Sequence, residues 1–157
     1  MAVDVFLRID GITGESQNAS FKGQIQLESA SFHASQTVNI GSVSSGAGAG
    51  KVVLGPLTVT KLPDSTSPQI FVALAQGTPA ATATLSFVQS GATSAYLTID
   101  LGLVAFSGMS TNVTGGVPLE AVTMSYGRLK YTVQVQGSTG VTKSVSGGWD
   151  GIKNVKM

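Results

Sequence analysis

The stretch "PLEAVTMSYGRLKYTVQVQ", residues 118–136, decides the fold class. Apolar side chains occupy every second position from Val122 to Tyr126, and the alternation resumes at Leu129 in a shifted phase. A period of two is the pattern of a β-strand with one face on the core, whereas a helix repeats every three to four residues. The phase changes across Gly127, as a β-bulge or the corner of a barrel requires. This segment predicts one long, bent strand.

The same alternation appears in the N-terminal segment "AVDVFLRID" and in "SAYLTIDLGLVAFSG", where it places Leu97 and Leu103 on one face. In "QIQLESASFHASQ" the phase slips near Ser29. A bulge at that point turns Ser29, Ser31 and His33 away from the core. Period two along most of the chain predicts an antiparallel sheet.

One segment breaks the pattern and predicts a helix at about 67–76. Ser67 suits an N-cap, Pro68 suits the first helical position, and Gly77 suits the residue after the last turn. Three apolar side chains then share one helical face: Ile70, Phe71 and Leu74.

Length and composition indicate one compact unit with little surface charge. At 157 residues with 42% apolar residues, the chain is long enough to bury a core. We expect a mainly β fold, an antiparallel β-barrel or sandwich with one short flanking α-helix, in a single domain over residues 1–157. Only 11% of the residues are charged, against about 25% in typical soluble domains. So little charge favours a surface that is partly covered by self-association.

The glycine-rich stretch "SSGAGAGKVV", residues 44–53, resembles a phosphate-binding loop at first sight. That loop requires G-x-x-x-x-G-K-[ST] between a strand and a helix. Here Ser45 takes the place of the first glycine, Val52 takes the place of the hydroxyl residue, and the following segment alternates as a strand. The stretch therefore predicts a bendable loop and not a nucleotide site.

The inventory of reactive side chains is small. There is no cysteine and a single histidine, His33, so neither a thiolate zinc site nor a pair of histidine ligands is available. No nucleophile elbow G-x-S-x-G occurs. Four carboxylates leave glycoside hydrolysis open, with turns, caps and ion pairs as their alternative roles: Asp64, Asp100, Glu120 and Asp150. We therefore expect no enzyme, no cofactor and no metal.

Charge and hydropathy exclude two classes of partner. The net charge is +1, from 9 basic and 8 acidic residues without a basic patch, which argues against nucleic acid. Asp4 and Arg8 interrupt the N-terminal apolar run, so we do not expect it to act as a signal peptide. No apolar run approaches the ~18 residues of a membrane span, and we expect no membrane insertion. Trp149, the sole tryptophan, fits an anchor for the last strand, with carbohydrate stacking as the alternative.

Taken in order, several segments resemble the hemolysin-coregulated proteins: "MAVDVFLRIDGITGES", "ASQ", "GAGKV", "LTVTKLPDSTSPQIFVALAQG", "PLEAVTMSYGRLKYTVQVQ" and "GGWDGIKNVKM". The resemblance covers nearly the whole chain. There is one departure at Ala30-Ser31-Phe32, where many members have two tryptophans around a serine. Charged residues common in the family are also replaced here by Ser, Thr and Ala, which puts particular ion pairs and cargo contacts in doubt.

The resemblance implies a β-barrel similar to phage tail-tube proteins, with six copies closing into a ring. Rings would stack into the tube of a type VI secretion system, inside a contractile sheath and behind a spike, with small effector proteins in the lumen. Assembly would take place in the cytoplasm, and the tube would then be secreted through that system without a signal peptide.

The resemblance also implies a loop that reaches toward the adjacent ring. Its candidate residues lie in the glycine-rich stretch: Gly41, Ser44, Ser45, Gly46, Gly48, Gly50 and Lys51. Because the alternation turns Ser29, Ser31 and His33 away from the core, they are candidates for the lumen surface. The alternative function is a non-catalytic β-sandwich that binds carbohydrate or acts as an adhesin.

Overall fold

The computed structural model describes residues 2–39, 48–137, 140 and 142–157 of the chain. The described elements, in chain order, are β1 (Val3–Ile9), β2 (Ile25–Leu27), β3 (Ser29–Ser31), β4 (Ala34–Ser35), β5 (Val38–Asn39), β6 (Gly48–Ala49), β7 (Val53–Leu54), β8 (Leu57–Lys61), α1 (Thr66–Gln76), β9 (Ala80–Gln89), β10 (Leu97–Thr114), β11 (Val117–Gln136), β12 (Thr142–Asp150) and β13 (Val155–Lys156). The fold is mainly antiparallel β with one short helix, as the sequence predicts.

Nine of the strands belong to one antiparallel sheet. Seven follow the order β13–β12–β11–β10–β9–β1–β2, and β8 pairs with both β11 and β3 as a branch. Glu28 joins β2 to β3, and its backbone N–H donates to the Thr60 carbonyl oxygen at 2.7 Å. The chain thus changes its pairing partner at Glu28, since β2 pairs with β1 and β3 pairs with β8. This is where the alternation slips, one residue before the predicted position at Ser29. Strands β1, β2 and β9 of the path and β8 of the branch consequently contribute to one core.

The strand β11 belongs to both branches of the sheet. Along one edge it pairs with β10, and along the other it pairs with β8 at 120–124 and with β12 at 128–136. Gly127 lies at the change of partner, where a Cβ atom would be 2.7 Å from Cδ1 of Ile152. The predicted change of phase at Gly127 is therefore the point where one strand passes between branches.

The main core lies between the two branches and under the helix. Its buried apolar residues include Leu7, Ile25, Leu57, Val59, Ile70, Leu85, Ile99, Val104, Val122 and Met124. A smaller cluster on the other face of β1 stacks Phe6 on Phe21, with ring centroids 4.8 Å apart. Leu103 departs from the predicted inward face, because its φ is 54° and its side chain is 48% exposed.

The helix α1 starts one residue earlier than predicted, and its packing face differs. Ser67 and Pro68 are its second and third residues, so Ser67 is not the N-cap, and Pro68 is not first. Ile70 is buried in the core, but Phe71 points outward and is 59% exposed. Gly77 ends the helix in the left-handed conformation with φ 69°, as predicted. Ala73 and Leu74, partly buried, complete the packing face.

A two-stranded arm leaves the sheet beyond β3. Its two sides, residues 34–39 and 48–54, are joined by the antiparallel pairs β4–β7 and β5–β6. Gln36 Nε2 donates to the Gly50 carbonyl oxygen at 2.8 Å, and the Gly50 N–H donates to the Thr37 carbonyl oxygen at 3.1 Å. These bonds tie the two sides together between the short strands.

The root of the arm interrupts a predicted strand. The sequence "KVVLGPLTVTK" alternates as one strand, but Gly55 and Pro56 separate β7 from β8. Proline has no N–H for the ladder, which explains the interruption. The arm and the sheet are therefore separate elements that meet at Gly55.

Candidate functional site

The three candidate lumen residues lie in or just after β3. The side chains of Ser29, Ser31 and His33 are exposed, while Ala30 between the serines packs against the core. Ser29 Oγ and Thr60 Oγ1 are 2.6 Å apart and share a hydrogen bond. The two serines therefore extend a surface that continues onto β8, whereas His33 lies at the root of the arm.

This surface spans four strands. Cross-strand pairs form two rows on the outer side of β3, β8, β11 and β10: Ser31–Thr58–Thr123–Gly108 and Ser29–Thr60–Ala121–Ser110. We call these eight positions the four-strand face. No residue in it is charged, and none is larger than threonine. Sequence reasoning found the two serines, whereas the pairing of β3 with β8, and of β8 with β11, joins residues far apart in sequence and carries no local signal.

Each side of the four-strand face ends in an unpaired strand edge. In the described parts of the chain, β3 pairs only with β8, and residues 105–114 of β10 pair only with β11. Unpaired N–H and C=O groups along such edges are templates for an added strand. The backbone of another chain could therefore pair at both sides of the face.

The other branch carries a row of charged and polar side chains. Paired positions across β1, β9, β10 and β11 bring Arg8, Thr84, Asp100 and Lys130 into one row. Arg8 Nη2 donates to Thr84 Oγ1 at 3.2 Å, and Thr84 Oγ1 donates to Asp100 Oδ1 at 2.9 Å. Asp100 thus accepts a cross-strand hydrogen bond within a row of polar and charged side chains, unlike the eight uncharged positions of the four-strand face.

The candidate stacking residues lie on the arm or beyond the described part of the chain. Gly41, Ser44, Ser45 and Gly46 fall within 40–47, which lies outside the described residues. Gly48 belongs to β6 and pairs with Asn39, Gly50 bonds across the arm, and Lys51 is exposed. The arm and the four-strand face are separate surfaces that meet at the end of β3.

A groove of about 440 Å³ separates the arm from β12, with Val52 and Leu54 on one side and Leu129 and Trp149 on the other. Trp149 is only partly exposed, and its buried Nε1 has no hydrogen-bond partner among the described residues. Trp149 pairs with Lys156 of β13. This position fits the predicted anchor of the last strands better than an open platform for sugar.

Two of the candidate carboxylates form a buried ion cluster with a lysine that the sequence reading missed. Lys61 is 1% exposed, and its Nζ lies 2.9 Å from Asp64 Oδ1 and 3.2 Å from Glu120 Oε1. Lys61 Nζ also donates to Ser67 Oγ, and the Ser67 hydroxyl donates to Glu120. Burial raises the pKa of Asp64, but hydrogen bonds from Thr66 and Lys61 outweigh it, so this pKa lies below its usual value.

This cluster joins β8, β11 and the start of α1, so its role is to fix the helix on the sheet. Asp150, the remaining candidate carboxylate, accepts hydrogen bonds from the backbone N–H groups of Ile152 and Lys153 at 2.9 Å each. Across the described residues, no three histidine, aspartate or glutamate side chains are placed to hold a metal ion. Within the same ranges, no helix has the length and hydropathy needed to cross a membrane.

Comparison with known proteins shows the same fold along the whole chain. A solved structure described as a type six secretion system protein is 26% identical with a TM-score of 0.89, over 99% of this chain and 100% of that one. Hcp1 from Salmonella typhimurium is 26% identical with a TM-score of 0.84, over 100% of both chains. A type VI secretion system effector from Yersinia pestis, 21% identical over 93% of this chain and 98% of its own, has a TM-score of 0.75.

No curated protein matches the sequence. A family model described as "Type VI secretion system effector, Hcp" matches residues 6–133, most of the chain. The chain therefore belongs to the Hcp family of type VI secretion proteins.

Proposed function

We propose that this chain is a structural tube subunit, not an enzyme, whose copies close into hexameric rings that stack into a type VI secretion tube. The whole chain, residues 1–157, acts as one tube domain. Effector proteins travel in the lumen, and the spike and sheath proteins are the other partners. The tube assembles in the cytoplasm and is secreted through this system.

The observation that carries the proposal is the four-strand face between two unpaired edges. An edge of β10 in one copy can pair with the edge of β3 in the next copy, which is a head-to-tail contact. Head-to-tail contacts generate a ring when the rotation between copies closes. The uncharged face then lies on one side of the ring in every copy, and we assign it to the lumen, with Ser29 and Ser31 in its wall.

A ring of this kind has a bore of useful width. Six copies would place about 24 strands around the lumen, spaced about 4.8 Å apart. With a tilt of about 40°, the circle of backbones is about 48 Å across. A compact protein of about 100 residues has a radius of gyration of about 13 Å, which corresponds to a sphere about 34 Å wide. Small folded effectors therefore fit inside, which supports carriage in the lumen.

The position of the arm favours the proposed stacking of rings. It leaves β3 and re-enters at β8 beside Leu57, whereas Lys61 at the other end of β8 leads into α1. The arm and the helix thus emerge from opposite ends of the same strand. A projection at one end of the subunit suits contacts between successive rings, with the candidate residues Gly48, Gly50 and Lys51 on it.

The proposal is tested first by the mass of the purified protein. Light scattering after size-exclusion chromatography should give about 95 kDa, six times the 15.9 kDa of the chain. Electron micrographs should show rings or tubes. A monomer at all concentrations, also in the presence of sheath and spike proteins, would contradict the proposal and favour the binding-module alternative.

The lumen assignment is tested by a matched pair of substitutions. Ser31→Gln adds a longer side chain to the four-strand face and should reduce retention of co-expressed effectors while rings persist. Ser146→Gln makes the same change on the exposed outer side of β12 and should leave retention unchanged. Equal retention in both variants for every effector tested would remove Ser31 from the lumen.

The stacking role is tested by shortening residues 44–49. Single rings should persist, because the deleted residues lie outside the four-strand face, but tubes should be shorter and secretion should fall. Normal tubes and normal secretion would exclude this segment from stacking.

A further inference from the structure

We infer that His33, Gly55 and Tyr126 form a clasp that sets the direction in which the arm leaves the sheet. His33 directly precedes the arm and Gly55 directly follows it, so the clasp holds both of its roots. The importance of this direction for ring stacking rests on the proposed function, but the clasp itself does not.

Both backbone polar groups of Gly55 are used in the clasp. The Gly55 N–H donates to the His33 carbonyl oxygen at 2.7 Å, which ties the two roots of the arm together. The Tyr126 hydroxyl donates to the Gly55 carbonyl oxygen at 2.7 Å, which ties the roots to β11. Burial raises the pKa of Tyr126, so the phenol keeps its proton and stays a donor.

The side chain of His33 occupies the space above Gly55. A Cβ atom on residue 55 would lie 2.5 Å from Nε2 and 2.7 Å from Nδ1 of the imidazole. Real Cβ contacts are not this short, so the His33 imidazole can keep this position only while residue 55 is glycine. His33, the only histidine, thus packs at the arm root although much of its side chain is exposed.

A second close contact lies one residue away and supports the same role. Leu54 Cδ1 would be 2.9 Å from a Cβ atom on Gly151. Gly151 is itself held by a 2.8 Å hydrogen bond from its N–H to the Gly127 carbonyl oxygen. The arm therefore rests on a glycine after β12 while the clasp holds it from the side of β11.

The test is a suppressor experiment with hydrogen exchange of the arm amides, 34–39 and 48–54, as the readout. Gly55→Ala should displace the imidazole and raise the exchange rates about tenfold, as loss of about 1.4 kcal/mol of local stability does. In His33→Ala with Gly55→Ala, the new methyl group fits the vacated space, and exchange should return to within about threefold of the wild type. Gly147→Ala is the matched control, because a Cβ there meets no atom within 4 Å.

Tyr126→Phe tests the other half of the clasp, because it removes the hydroxyl group but keeps the aromatic ring of residue 126 in place. It removes the donor to the Gly55 carbonyl oxygen, and arm exchange should rise several-fold while exchange in β9 stays unchanged. The inference is overturned if Gly55→Ala exchanges as slowly as wild type, or if the double variant exchanges as fast as Gly55→Ala.

Tube length measured on the same variants separates the two levels of the argument. Shorter tubes with Gly55→Ala that recover in the double variant support both the clasp and the stacking role of the arm. A loosened arm with unchanged tubes supports the clasp and refutes the stacking role.

Discussion

Replacing Lys61 by methionine should destabilise this protein more than any other single lysine substitution on its surface or in its described interior. The Lys61 ammonium donates at 2.9 Å to Asp64, at 2.9 Å to Ser67, at 3.2 Å to Glu120 and at 3.3 Å to the Leu62 carbonyl oxygen. Methionine fills a similar volume but leaves two carboxylates without their cation. Glu120 is only 2% exposed, so water does not take the place of the missing ammonium group beside its carboxylate.

Removing one partner of a buried ion pair costs about 3–5 kcal/mol, because the other charge stays buried. The total stability of a domain is about 5–15 kcal/mol, so the loss is a large fraction of it. For about 150 residues, each kcal/mol shifts the melting temperature by about 2–4 °C, which gives a drop of about 6–20 °C. Adding Glu120→Met to the variant should recover about half of this loss, since the second charge is then removed as well.

Urea unfolding followed by the fluorescence of Trp149, the sole tryptophan, measures these changes at one fixed protein concentration. Lys51→Met, at an exposed position of the arm, is the matched control and should stay within about 0.5 kcal/mol of wild type. A loss below about 1 kcal/mol for Lys61→Met would refute the reasoning. So would a double variant less stable than the single one.

Three further outcomes are expected from urea unfolding. Asp64→Asn should destabilise the protein at pH 7. The difference in unfolding free energy from wild type should shrink as the pH falls below the ordinary carboxyl pKa of 3.8, because a carboxylate with a lowered pKa in the folded state contributes stability that is lost when acid protonates it. A constant difference from pH 7 to 3 would exclude this role. Ile70→Ala should cost about 2–5 kcal/mol, whereas Phe71→Ala should stay within about 0.5 kcal/mol, since the first is buried and the second is 59% exposed; similar losses would contradict the observed helix face. Gly77→Ala should cost about 1 kcal/mol because its φ is 69°, and an unchanged unfolding midpoint would show that the helix end adapts.

Local patterns in the sequence predict most of the strands. Alternation locates β1, β10 and β11, and the phase changes near Ser29 and at Gly127 mark the two points where the chain changes its pairing partner. The alternation and its phase changes depend only on which side chains of a short segment face the core, so they are visible in the local sequence. The helix is also predicted from the sequence. The outward position of Phe71, however, depends on how α1 packs against β10, and helical periodicity alone does not determine this packing.

The sequence contains a local sign of the buried cluster. In "LTVTK", Leu57, Val59 and Lys61 share the inward face of β8, so the alternation itself points the lysine into the protein. A lysine at such a position is normally read as the end of a strand, because a buried charge requires a partner. Its partner Glu120 lies 59 residues away on β11, and this distance hides the pair from sequence patterns.

The four-strand face shows the same limit. Thr58 and Thr60 are outward by alternation alone, but their neighbours Thr123 and Ser31 come from distant strands. Cross-strand order is set by long-range pairing, and the small, uncharged character of the face appears only when the four strands are placed side by side.

This lack of charge has a consequence for transport. In a tube built as proposed, these eight positions would present no fixed charge to a passenger in direct contact with them. Raising the salt concentration changes interactions between charges and leaves contacts between neutral groups almost untouched. Contacts of a passenger with these positions would therefore depend on its shape and hydrogen-bonding groups and little on the sign of its charge.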